Sequence, residues 1–183
     1  MPETRVHMDE LIRLLSERQT YLYARNLVLV ALPIETGYRL APQLARALNA
    51  NYLDFDYEFL KQLEADDWEE HVVLEKKGTL AIGKSLAERW LKKVSEHLNR
   101  QQPLVIGNIN LAVRYQLDLA KALYDATERG LCIIAAGGRL QGQTLWLHGI
   151  LPQTGAGSQA YELITAHAPE DLEPPKAIQD RLL

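Results

Sequence analysis

The chain has 183 residues, 47% of them hydrophobic and 24% charged, with a net charge of −4. Such a chain is long enough for one globular domain with a real core, and its composition excludes a disordered or fibrous class. The mild acidity gives no overall pull toward nucleic acid or anionic membranes, and no apolar run reaches the ~20 residues of a membrane span. Leu11, Ile12, Leu15 and Leu22 predict an N-terminal helix over about 8–24. Asn26 to Ala31 is a continuous β-prone apolar run, which suits a strand buried on both faces of a parallel sheet. A loop over Leu32–Gly37 follows, then a helix marked by Leu40, Leu44, Ala47 and Leu48. Tyr52–Phe55 reads as a second strand, and a short helix near 57–64 leads into the acidic stretch Asp66–Glu70. Leu86, Trp90, Val94 and Leu98 recur every four residues and predict a helix from about 84 to 100. Leu104–Ile106 is a third buried strand. A helix carrying Leu117, Ala120, Leu123 and Tyr124 is expected to end at Gly130, acting as a left-handed cap. Leu131–Ala136 is the fourth strand, with a turn expected at Gly137-Gly138, and Leu145–Leu147 is a possible fifth, edge strand.

Solid apolar strands alternating with helices predict an α/β, three-layer domain with a mostly parallel sheet and helices on both faces. The domain is expected over 1–167, with a Pro- and acid-containing tail over 168–183. The start, Met1-Pro2-Glu3-Thr4-Arg5, has no apolar leader segment, so a cytoplasmic protein is expected. The single cysteine, Cys132, lies in an apolar run and reads as a buried strand thiol.

Buried strand, loop ending in glycine and amphipathic helix over 26–48 is the layout of a phosphate-binding loop, in which GxxxxGK[ST] wraps phosphate in backbone N–H groups. Laid on this loop, the motif puts its second glycine on Gly37 and its first on Leu32. The lysine falls on Tyr38 and the hydroxyl residue on Arg39. Charged hydrogen bonds contribute about 1.5–3 kcal/mol each, so losing the lysine and the magnesium ligand lowers nucleotide affinity by several powers of ten. A plain strand–helix turn that never bound phosphate is the equal alternative. If the layout is ancestral, Glu35, Thr36, Gly37, Tyr38 and Arg39 mark a vestigial nucleotide site. There Tyr38 is expected to fill the phosphate space, and Glu35, Tyr38 and Arg39 to form a closed surface. In P-loop ATPases a later strand also ends in a magnesium-holding aspartate with an acid close behind. The candidate strand runs into Gly107-Asn108-Ile109-Asn110, where neither acid is present. If the sheet is of the ATPase-type P-loop kind, strand 131–136 lies between 26–31 and 104–107.

Val28–Gly37, Asn51–Phe55, Pro103–Leu111 and Ile133–Arg139, followed by the Gly- and Tyr-containing segment Gln153–Glu162, resemble BrxF, the small P-loop-type protein of BREX (type 3) bacteriophage-exclusion systems. The resemblance covers roughly residues 10–165. It implies a P-loop NTPase-like fold and a role in antiviral defence beside a DNA methyltransferase, a phosphatase-like protein and a large ATPase. The family pattern implies a lysine at Tyr38, a hydroxyl residue at Arg39 and Asp-Asn-Ile-Glu at 107–110. This chain keeps only Asn108 and Ile109 of these, so the expected function is a non-catalytic, pseudo-NTPase subunit with no cofactor and no metal.

The competing expectation is an active or switch-type ATPase that binds ATP and Mg²⁺ through Gly78, Gly83, Lys84 and Ser85, a letter-for-letter GxxxxGK[ST] match. Its context is poor, because the preceding strand candidate, 71–74, is short and no buried run leads into the loop. Asp54 and Asp56 form an Asp-x-Asp at a strand end that reads as solvated acids before a divalent-metal site. The five histidines show no ligand spacing, and Ser16, Ser85, Ser95 and Ser158 lack a nucleophile setting. Lys84, Arg89, Lys92, Lys93 and Arg100, interleaved with Glu88 and Glu96, read as a solvated face, with docking of a phosphate backbone as the lesser alternative. Arg139 lies at the carboxyl end of a strand, where α/β sheets gather ligands, and is the isolated charge expected to meet a partner.

Overall fold

The computed structural model describes residues 5–21, 23–65, 73, 80–96, 98–154 and 158–165. The acidic stretch 66–70, Gly78 and the tail 168–183 lie outside the described residues. In chain order the elements are β1 (Arg5–Val6), α1 (Met8–Thr20), β2 (Leu27–Leu32), α2 (Gly37–Ala47), β3 (Asn51–Asp54) and α3 (Phe55–Ala65). Then follow α4 (Ala81–Glu96), β4 (Leu104–Gly107), α5 (Asn110–Arg114), α6 (Leu119–Leu123) and a 3-10 turn (Asp125–Glu128). The chain continues through β5 (Cys132–Gln141), β6 (Thr144–Leu147), β7 (Leu151–Gln153) and β8 (Gln159–Leu163).

The main sheet has the order β1-β8-β2-β5-β4-β3 with every pairing parallel. The outer part of β5 pairs antiparallel with β6, and β6 with β7. The α/β class and the mostly parallel sheet are therefore as expected, and β5 lies between β2 and β4. The central strands β2, β4 and the inner half of β5 are apolar on both faces because each face has its own core. Leu27, Leu29, Ala31, Ile106, Cys132 and Ile134 pack with α3, α4, α5 and α6. Val28, Val30, Leu32, Val105, Ile133 and Ala135 pack with α1 and α2. Four rings anchor the first core: Phe55 and Phe59 are stacked at 5.6 Å, Trp90 lies 5.3 Å from Phe55, and Tyr115 meets Phe59 edge-on at 5.3 Å. Cys132 is buried, and burial pushes its thiol up to about 12, so it behaves as an apolar strand residue.

Several element ends differ from expectation, each through a local hydrogen bond or a close approach. Helix α1 stops at Thr20, not 24, because the Asn26 amide takes the Tyr23 N–H and gives its own hydrogens to the Tyr23 and Thr127 carbonyls. Helix α4 ends at Glu96, not 100, and the Asn99 side chain then accepts from the N–H groups of Gln101 and Gln102. The single helix expected before Gly130 is two short helices and a 3-10 turn. Gln116 is left-handed (φ 53°), and Asp118 caps α6 by accepting from Lys121 N. Gly130 is not a left-handed cap. A β-carbon there would sit 2.1 Å from the Asn99 carbonyl oxygen, so close approach is what demands glycine. Gly137 and Gly138 do not turn the strand. They lie inside β5, which continues to Gln141 and turns at Gly142 (φ 63°). Residues 144–147 belong to the β5–β6–β7 hairpin, not to an edge of the main sheet. Strand β8 is an added member of the main sheet, inside the segment expected to follow the last strand.

Removing a ring from the four-ring cluster should leave a cavity. Phe59→Ala is expected to destabilise the protein by about 3–5 kcal/mol, read as a lower urea midpoint at unchanged slope. A loss under about 1 kcal/mol would show that this cluster does not anchor the core.

Candidate functional site

Because the main-sheet strands run parallel, the carboxyl ends of β2, β3, β4 and β5 share one edge, the usual position for ligands in such folds. The expected vestigial nucleotide site is there. The Pro33 carbonyl accepts from Gly37 N at 2.8 Å and from Thr36 N at 3.3 Å. Two N–H groups that a phosphate cradle would aim outward are thus bonded within the turn. The Thr36 hydroxyl is buried without a hydrogen-bond partner and does not face an open site. The turn also lies flat on β5. A β-carbon on Gly37 would come within 3.4 Å of Gly137 N, and one on Gly137 within 3.2 Å of Ile34 Cα. Tyr38 does not fill the phosphate space as expected. It stands at the rim, 60% exposed, with the Arg39 guanidinium 5.1 Å from its ring centroid. Glu35 is exposed on the turn and joins none of the ion pairs among the described residues. The three side chains therefore do not make the closed surface that was expected.

At the end of β4, a β-carbon on Gly107 would lie 2.8 Å from Ala41 Cβ and 2.9 Å from the Tyr52 hydroxyl. The space into which a magnesium-holding aspartate would project is occupied by α2 and β3. Burial, with Asp54 and Asp56 close by, pushes the Tyr52 phenol up to about 12. The residues that follow form one polar network. The Asn108 amide donates to both Asp54 oxygens at 2.9 and 3.1 Å. The Asn110 amide donates to Asp56 Oδ2 and to Asn108 Oδ1, each at 3.0 Å. Asp56 also accepts from the N–H groups of Asn110 and Leu111, capping α5, and Asp54 accepts from Tyr57 N, capping α3. Burial raises the Asp56 carboxyl, and the α5 N–H groups and the Asn110 amide work against that shift. Asp54 and Asp56 are thus cap acceptors and amide partners, not free solvated acids. Among the described residues no group of three or more His, Cys, Asp or Glu is placed to hold a metal ion.

His148, left-handed at φ 50°, brings Nε2 to 3.2 Å from Asn110 Oδ1. It closes a pocket of about 180 Å³ whose walls include Ile34, Tyr38, Asn110, Ala136 and Leu147. Nothing in the sequence singled out His148, because the β6–β7 connection, five elements after β4, carries it to the β4 end. Arg139 is exposed on β5, directly opposite Trp146 of β6, and lines an adjoining cavity, so it does reach this edge.

The alternative phosphate loop is placed elsewhere. Gly83, Lys84 and Ser85 lie within α4, with Lys84 N bonded to Leu80 O at 3.0 Å as in an ordinary helix. A β-carbon on Gly83 would sit 2.2 Å from the Tyr115 ring, so this glycine serves packing. Lys84 and Ser85 are exposed and line neither cavity at the carboxyl edge.

Compared with family models, curated proteins and solved structures, the chain matches none of them.

The raised Tyr52 phenol has a consequence at alkaline pH. Between about 10 and about 12 an unfolded tyrosine loses its proton while folded Tyr52 keeps its own. The folded state then binds more protons, so stability falls as pH rises through that window. Tyr52→Phe is expected to flatten the fall, measured as urea midpoints from pH 9 to 12. An unchanged slope would show that Tyr52 is not held neutral by its surroundings.

Proposed function

We propose that this chain is a non-catalytic P-loop-type domain, a pseudo-NTPase serving as a structural subunit of a multi-protein bacterial anti-phage complex of the BREX kind. The observation that carries the loss of catalysis is the occupied space at Gly107, where Ala41 and Tyr52 stand in the way of a metal-holding acid. The inward-bonded N–H groups of Thr36 and Gly37 support the same reading. So does the neutral amide pair Asn108 and Asn110, since an amide is no general base for an attacking water. The P-loop affiliation is supported by β5 lying between β2 and β4, the order expected of the ATPase-type arrangement. The family resemblance supplies the proposed partners, a methyltransferase, a phosphatase-like protein and a large ATPase. The exposed Ile34, Tyr38 and Ile150, at 60, 60 and 70%, are apolar surface of the kind an assembled subunit covers. The alternative ATPase reading is disfavoured by the helical setting of Lys84.

Purified protein is expected to show no ATP turnover above background, and turnover abolished by Lys84→Ala would overturn the reading. The pair Tyr38→Lys with Arg39→Ser is not expected to restore ATP binding by isothermal titration, because the Pro33 carbonyl still holds the turn closed. Micromolar affinity in that variant would show a cradle intact and merely disarmed. Co-purification from a host carrying a complete defence system tests the assembly, with the three proposed partners expected in the eluate.

A further inference from the structure

The β5–β6 hairpin presents two faces of opposite character. Its successive cross-strand pairs are Gly138–Leu147, Arg139–Trp146, Leu140–Leu145 and Gln141–Thr144. Leu145 and Leu147 are buried, so the alternate set with Arg139 and Trp146 turns outward. Pro152 of β7 flanks Trp146 on its other side. This outward face lines a cavity of about 520 Å³ with Arg139, Gln141, Trp146 and His148, and Ile34 lies across from it. Ile34 and His148 also line the 180 Å³ pocket that Tyr38 borders. The two cavities therefore adjoin, sharing Ile34 and His148 as walls, and make a grooved strip of the carboxyl edge. Tyr38 borders one cavity with the Arg39 guanidinium 5.1 Å from its ring, Arg39 itself standing outside both linings, and Trp146 lines the other beside its cross-strand partner Arg139. Among the described residues no carboxylate lines either cavity, although the chain is acidic overall and Glu35 is exposed next to Ile34. Arg139 joins none of the ion pairs among the described residues, so its charge is available.

Aromatic rings along a grooved edge, each with an arginine beside it and with no carboxylate in the described lining, fit a chain of flat rings joined by anions. We propose that this groove binds single-stranded nucleic acid, one base stacking on Tyr38 and another on Trp146, with Arg39 and Arg139 on the intervening phosphates. The polar groups between them, Asn110 and His148, are bonded to one another, so the contact is with ring faces and backbone and not with a particular base. A duplex offers no unstacked faces to such platforms. Binding of this kind goes beyond the loss of ATP chemistry and stands whether or not the chain is a subunit of a larger assembly.

The test is fluorescence anisotropy of the full chain with a labelled thymidine oligonucleotide of about fifteen nucleotides, at salt from about 50 to 200 mM. Binding is expected to weaken with salt, and Arg39→Ala and Arg139→Ala should each lower the log–log slope by about 0.7. Trp146→Ala should weaken binding about tenfold or more, while Trp146→Phe keeps most of it. Since Trp146→Ala also removes packing from the hairpin, the exposed arginines provide the decisive variants. Lys121→Ala, on α6 outside the groove, should leave affinity and slope unchanged. Three results would each overturn the proposal. One is no binding at about 100 μM, the weak limit of non-specific association. Another is a duplex or a polyglutamate peptide binding as tightly as the single strand. The last is Arg39→Ala and Arg139→Ala changing the slope no more than Lys121→Ala does.

Discussion

The fold depends on β5 being inserted between β2 and β4. That strand pairs with β2 over six registered positions, Leu27↔Cys132 to Leu32↔Gly137, and with β4 over three. It holds no polar side chain from Cys132 to Gly138, so it is stable only with a core on each face. The helices supply those cores in two groups, α1 and α2 on one side and α3 to α6 on the other. Every other strand of the main sheet takes its place by pairing outward from this centre.

The same insertion shapes the carboxyl edge. Where β5 leaves the sheet, Gly137 lets the Ile34 turn lie against it, and Gly37 lets the start of α2 approach. One strand over, Gly107 admits Ala41 and the Tyr52 hydroxyl. These contacts bring backbone and side chains within van der Waals reach where a nucleotide enzyme keeps open, charged space. The glycines serve close packing at this edge, beside the pocket of about 180 Å³ that Gly37 and Gly137 also line. Beyond them, Asp54 and Asp56 are drawn into amide and helix-cap bonds that tie β3 and α3 to β4 and α5. Carboxylates committed in this way stabilise the junction by charge-assisted hydrogen bonds.

Beside these contacts the hairpin adds surface the sheet lacks. Its period of two sends Leu145 and Leu147 inward and Arg139 and Trp146 outward. Outward Arg139 thereby joins Arg39, which stacks on Tyr38, along one edge.

The sequence by itself determined the buried strands and most of the helices, because solid apolar runs and four-residue spacing are local records of where water is excluded. If the 26–48 layout is that of a phosphate loop, Tyr38, Arg39, Gly107 and Asn110 were also legible as departures from it, since the side chains that chemistry needs are identifiable by type. What the sequence misplaced were the boundaries set by single side chains reaching across the chain. The Asn26 amide cuts α1 short, Asn99 follows the end of α4, and Asp118 starts α6. Glycine was read wrongly at Gly130, Gly137 and Gly138, where it serves close approach and not a turn, because that need arises from a neighbour distant in sequence. Strand β8, with only Ala160 and Leu163 buried, carries too little apolar signal to be read without the β2 edge that it joins. The meeting of Asp56, Asn110 and His148, and of Arg139 with Trp146, was decided by the tertiary structure alone. Those groups come from elements whose separation in space is set by strand order, and strand order is a property of the packed sheet that no local window contains.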